Sequence, residues 1–164
     1  MGRRKTLPNK PSELILLALQ DIAKCEKLRK QYKIDMDVWW HVGTKGKPCV
    51  VCAAGAVMCQ SLKRPRYVFA LDRISDADEL VENQKEPQDY AVYPEDYPEN
   101  IECKLEAIDC FRQGEIQDGI DRMGIEQQCP DYLRKFPVPS YELDKRGFKR
   151  RLRTLARLLQ KEGL

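Results

Sequence analysis

The chain has 164 residues, of which 42% are hydrophobic and 34% are charged. This composition is typical of a globular domain and excludes a largely disordered chain. The longest apolar run, residues 14–19, is far shorter than the ~20 residues of a transmembrane helix. The first residues also lack the apolar segment of a secretory signal, so we expect a cytoplasmic protein with no membrane partner.

The net charge of +3 conceals a strong segregation of charge along the chain. Residues 1–71 carry a net charge of +9, residues 72–131 of −13 and residues 132–164 of +7. In one interpretation the acidic middle docks against the basic ends and neutralises them. In the other, separate acidic and basic faces each attract a charged partner.

Apolar spacing predicts a mainly α fold, with a single compact domain of about five helices and room for one small β-hairpin. Residues 1–11 contain two prolines among charges and are predicted to form a flexible basic arm. The helical domain would occupy residues 12–164. Ser12 suits the N-cap of its first helix, which is predicted to continue to about Gln31.

The next segment has an ambiguous pattern. Residues 34–39 alternate like a strand, yet Asp35 or Asp37 equally suits a short turn. The glycines and the proline of residues 43–48 predict a loop.

Pro48 fits the first turn of a helix predicted for residues 49–62. Gly55 lies within this helix, where glycine costs roughly 0.5–1 kcal/mol relative to alanine. A compensating contact is therefore expected, in which a neighbouring backbone or a tryptophan ring packs against the small residues 53–56.

The second half of the chain is predicted to be helical apart from its loops. Residues 87–99 combine prolines, tyrosines and acids and are predicted to form an exposed acidic loop. Helices are predicted over residues 101–112, 115–123 and 142–162. The last helix would bury one side, formed by Leu143, Phe148, Leu152, Leu155 and Leu159.

One short segment concentrates residues that can carry chemistry. His41 is the only histidine, and Cys49 and Cys52 follow it at Cys-x-x-Cys spacing. We interpret the segment as scaffold, with no catalytic residue and no cofactor. As an alternative, these three residues supply three of the four ligands of a structural zinc, with a fourth such as Cys129. In a second alternative, a thiol-dependent or small-molecule-binding enzyme is centred on His41.

The chain resembles small uncharacterised accessory proteins of tailed bacteriophages. The residues that carry the resemblance are Trp40-His41, Cys49-x-x-Cys52-x-Ala-Gly-Ala-Val-Met58 and Lys104-Leu105-x-Ala107-Ile108-x3-Arg112-x-Gly114. They cover about half of the chain. The resemblance implies action in the host bacterial cytoplasm, where host takeover and counter-defence are common roles, and it implies no catalytic residue.

Two surfaces are candidates for binding a partner. The main prediction is a non-enzymatic protein that binds a host macromolecule, with a host protein as the expected partner, and blocks or redirects it. Its contact surface would be an acidic tract whose tyrosines suit an interface: Asp89, Tyr90, Tyr93, Glu95, Asp96 and Tyr97. The alternative is a nucleic-acid-binding accessory protein, optionally stabilised by zinc, whose C-terminal helix contacts phosphates. The residues are Lys145, Arg146, Lys149, Arg150, Arg153 and Arg157.

Overall fold

The computed structural model describes residues 6–41, 43, 47–62 and 91–164. Within these ranges six helices accompany a small four-stranded sheet, which confirms the predicted mainly α class. None of the described helices is long and apolar enough to cross a membrane. The helices are α1 (Pro11–Lys27), α2 (Ala53–Gln60), α3 (Glu99–Arg112), α4 (Ile116–Arg122), α5 (Asp131–Arg134) and α6 (Lys145–Lys161). The strands are β1 (Tyr32–Ile34), β2 (Trp40–His41), β3 (Cys49–Val51) and β4 (Ala91–Val92).

Helix α1 begins at Pro11, where a proline is tolerated because the first amides of a helix have no intrahelical acceptor. Ser12 lies inside the helix, so the prediction that it is the N-cap was wrong. Its hydroxyl instead donates to the carbonyl oxygen of Leu164 at 2.6 Å. Leu7 is buried, and its carbonyl accepts a hydrogen bond from Lys104 in α3 at 2.9 Å. The predicted flexible arm therefore does not include residues 7–11, and residues 1–5 lie outside the described part.

The sheet has the order β1-β3-β2-β4, with β3 parallel to β1 and antiparallel to β2. The helix predicted for residues 49–62 was therefore wrong in its first turn. Val50 and Val51 are β-branched and extended, because β3 pairs on both sides. Helix α2 follows after Cys52, whose side chain caps it by accepting from the Gly55 amide.

The core forms where α1 packs against α2, α3 and α6. Trp40 from β2, Phe111 from α3 and Phe148 from α6 are among its largest fully buried side chains. Leu143 was predicted to lie on the buried side of the last helix but is 89% exposed. It precedes α6, whose N-cap is Asp144, so the helical spacing does not extend to it.

The described part of the predicted acidic loop is more regular than expected. Residues 91–92 form β4, which pairs antiparallel with β2. Pro94–Asp96 form one 3₁₀ turn, and α3 already begins at Glu99. Residues 87–90 of that loop lie outside the described residues.

Candidate functional site

Gly55 lies where α2 passes closest to the segment before β2. A Cβ atom at Gly55 would be 1.6 Å from the carbonyl oxygen of Trp39. The same oxygen accepts a hydrogen bond from the Cys52 amide at 3.3 Å. The sequence predicts that either a neighbouring backbone or a tryptophan ring packs against the small residues around Gly55. The structure shows the neighbouring backbone. Trp40, the next residue, is only 1% exposed, so this region belongs to the core.

The structure does not assemble His41, Cys49 and Cys52 into a metal site. The Cys49 sulfur accepts from the Gly43 amide at 3.2 Å, whereas the Cys52 sulfur accepts from the Gly55 amide at 3.4 Å. Within the residues that the structure describes, no group of three or more His, Cys, Asp or Glu side chains could hold a metal ion. The geometry therefore gives the zinc hypothesis no support.

The Cys52 thiol also lacks the electrostatics of a reactive cysteine. Burial raises the pKa of the Cys52 thiol to about 11. A redox-active or nucleophilic cysteine requires the opposite shift, because the thiolate is the reactive form. Cys49 lies in β3 and not at a helix N-terminus.

The burial and the raised pKa of Cys52 predict the order in which the cysteines are alkylated. Near pH 8, iodoacetamide is expected to modify the partly exposed Cys103 well before Cys52, because Cys52 is buried and stays protonated below its raised pKa of about 11. Mass spectrometry of peptides from a time course measures both rates. Equal rates for the two cysteines would contradict the assignment of Cys52 to the core.

The acidic tract is only partly displayed as predicted. Asp89 and Tyr90 lie outside the described residues. Tyr97 is buried at 8% exposure, so its predicted place on the surface was wrong. The Asp96 carboxylate accepts from the Tyr93 amide at 2.9 Å and thereby closes the 3₁₀ turn. Tyr93, which is 43% exposed, and Glu95 remain available on the surface.

The exposed face of α6 carries a straight row of cations. Arg146, Arg150, Arg153, Arg157 and Lys161 are all exposed, and steps of three or four residues place them on one side of the helix. We refer to these five residues as the α6 stripe. The opposite side of α6 contributes Phe148, Leu152, Leu155 and Leu159 to the core.

Two of the six predicted basic residues lie beside the α6 stripe and have partners within the protein. Lys149 forms an ion pair with Glu26 of α1. Lys145 lies 5.4 Å from the centre of the Tyr141 ring, in a cation–π contact. Lys161 extends the stripe at the other end of the helix.

The α6 stripe is not neutralised by the acidic segment in the described part of the chain. No described ion pair involves any of its five side chains. The arginines of α3 and α4 instead pair with acids of α3, namely Arg112 with Asp109 and Arg122 with Glu106. The described residues thus favour separate acidic and basic faces.

Comparisons with known proteins add no evidence about this surface. No family model, no curated protein and no solved structure matches the chain. The resemblance to phage accessory proteins stays a prediction, and the function has to be inferred from the geometry of the chain itself.

Proposed function

We propose that the protein is a non-enzymatic accessory protein that binds nucleic acid through the α6 stripe. One observation carries the proposal: five exposed cations lie in a row on one helix face and form no ion pair within the described residues. Phosphate backbones are the repeating anions that such a row matches, and they supply most of the affinity in non-specific binding.

The chemistry and dimensions of the α6 stripe suit a backbone contact. Four of its five members are arginines, whose planar guanidinium groups bind phosphate oxygens through two parallel hydrogen bonds. From Arg146 to Lys161 the stripe spans about 22 Å along the helix axis. Contacts of this kind fix the position of a protein on nucleic acid without reading its sequence.

Charge repulsion within α6 also favours an anionic partner. The pairs Arg146/Arg150, Arg153/Arg157 and Arg157/Lys161 are like charges four residues apart. Each such pair destabilises a helix by roughly 0.2–0.5 kcal/mol. A bound polyanion would remove this repulsion. A helix face that served only solubility would be more stable with alternating positive and negative charges.

The biological setting of the proposal comes from the resemblance to phage accessory proteins. It implies the cytoplasm of a bacterial host as the setting, with takeover or counter-defence as the role. The acidic tract is a less favoured contact surface for a host protein, because Tyr97 is buried and Asp96 closes a turn.

A charge-matched pair of variants tests the proposal. We expect Arg150, Arg153 and Arg157→Gln to weaken binding to a fluorescent DNA duplex by about 10- to 100-fold, because each exposed ion pair contributes up to about 1 kcal/mol. The slope of log K against log salt concentration should become shallower by about three units. Fluorescence anisotropy at several salt concentrations measures both quantities.

The matched control is Lys10, Lys47 and Lys135→Gln, which removes the same charge from exposed positions outside α6. It should leave the affinity within about threefold of the wild type if binding is local to the stripe. Equal losses in both variants would contradict the proposal, as would no binding to DNA at low salt. Capture of a basic host protein that depends on Tyr93 and Glu95 would then favour the acidic tract.

A further inference from the structure

A groove of about 740 Å³ lies at the N-terminal end of α6. This volume is within the range of roughly 300–1,000 Å³ that small-ligand pockets occupy. One wall carries Arg29, which lies between α1 and β1, together with Tyr32 and Lys33 of β1. The other wall carries Lys145 and Lys149 from the first turns of α6.

The acids in this groove are already engaged by the protein. Burial acts to raise the pKa of Glu26, but hydrogen bonds from Lys149 and Tyr141 outweigh burial and lower it, so the carboxylate stays ionised. The Tyr141 hydroxyl donates to Glu26 at 2.6 Å. Glu142 accepts from the Met36 amide at 3.1 Å.

Apart from the carboxylate of Glu142, the remaining charges that line the groove are positive. Arg29, Lys33 and Lys145 are exposed, and none of them forms an ion pair among the described residues. An anion that enters the groove would therefore meet three cations without an ion pair among the described residues, opposed by the one carboxylate of Glu142.

The groove also offers apolar and aromatic surface. Tyr32 is partly exposed in its wall, together with Ile34 and Pro48. A ligand with both a flat apolar part and a phosphate group matches this combination, and a nucleotide has both.

We propose that this groove binds one unpaired nucleotide of a single-stranded nucleic acid, an inference that rests on the proposed function. Lys145 and Lys149 line the groove, and Arg146 and Arg150 of the α6 stripe are their neighbours in the same helical turns. A strand whose phosphates follow the stripe therefore reaches the groove. Its base stacks on Tyr32, and a phosphate contacts the cations on the rim. A paired base cannot enter in this way, so the groove favours single strands over duplexes.

The test compares a fluorescent single-stranded oligonucleotide with its duplex under the same salt conditions. The wild type is expected to bind the single strand about 5- to 10-fold more tightly, and Tyr32→Ala is expected to abolish this preference. Because Tyr32 packs partly against the core, the double variant Arg29→Gln and Lys33→Gln at two exposed positions provides a second probe. Tyr93→Ala, a substitution of a tyrosine that does not line the groove, should keep the preference.

The outcomes separate the two proposals. In one outcome the protein binds both duplex and single strand, and substitutions in the α6 stripe weaken the affinity for both. If substitutions in the groove then change neither affinity, the groove proposal is overturned and the proposed function stands. If neither form binds, both proposals are overturned. Loss of the single-strand preference in the groove variants alone, with duplex affinity retained, supports the groove as the nucleotide site.

Discussion

Replacing Gly55 with alanine is expected to lower the free energy of unfolding by at least about 3 kcal/mol. The added Cβ would lie 1.6 Å from the Trp39 carbonyl oxygen, and neither atom can move without a shift of the backbone. Trp39 cannot shift freely, because its carbonyl accepts from Cys52 and the adjacent Trp40 is fully buried. Helix propensity alone predicts the opposite sign, a gain of about 1 kcal/mol.

Chemical denaturation measures this change, and Gly124→Ala is the comparison. Gly124 has a φ of +69°, and no atom lies within 4 Å of the place that an alanine Cβ would take, so alanine there meets backbone strain without a clash. That strain costs about 1–2 kcal/mol. If Gly55→Ala is no more destabilising than Gly124→Ala, the close packing of α2 on the Trp39 carbonyl is refuted.

Replacing Asp21 with alanine is expected to lower the free energy of unfolding by about 3 kcal/mol. Asp21 of α1 is fully buried and accepts a hydrogen bond from the Ser61 hydroxyl at the end of α2. It also pairs with Lys24 at 3.0 Å. Removing the carboxylate leaves the buried Ser61 hydroxyl without this acceptor and loosens the contact between α1 and α2.

A double-mutant cycle tests this assignment. Ser61→Ala in the Asp21→Ala background should cost little further stability, which gives a coupling energy of about 1–2 kcal/mol between the two positions. Asp118→Ala, at an exposed site in α4, should change stability by less than about 0.5 kcal/mol. Additive effects of Asp21→Ala and Ser61→Ala would mean that the two side chains do not interact.

The long helices could be predicted from the sequence, but the sheet could not. The spacing of apolar residues in α1, α3 and α6 is set within each helix, so a local pattern suffices to find them. Strand β3 was predicted as helix because a short apolar run such as residues 49–58 fits either structure. Its extended conformation depends on pairing with β1 and β2, and that pairing is not encoded in the local sequence.

One of the two candidate sites could be predicted from the sequence and the other could not. The α6 stripe could be predicted, because Arg146, Arg150, Arg153 and Arg157 share one face by helical spacing alone. The groove could not, because Tyr32 and Lys145 are brought together only by the packing of α6 against α1. The burial of Tyr97 likewise follows from the packing around the 3₁₀ turn, which its acidic neighbours do not reveal.

Nuclear magnetic resonance of the ¹⁵N-labelled protein during titration with a short DNA locates the nucleic-acid contact residue by residue. If the α6 stripe binds nucleic acid, the amide signals of α6, from Arg146 to Lys161, shift most and added salt reverses the shifts. Signals of Tyr93 and Glu95 should stay in place. Shifts confined to α3 and α4, or no shift at low salt, would contradict nucleic-acid binding by the α6 stripe.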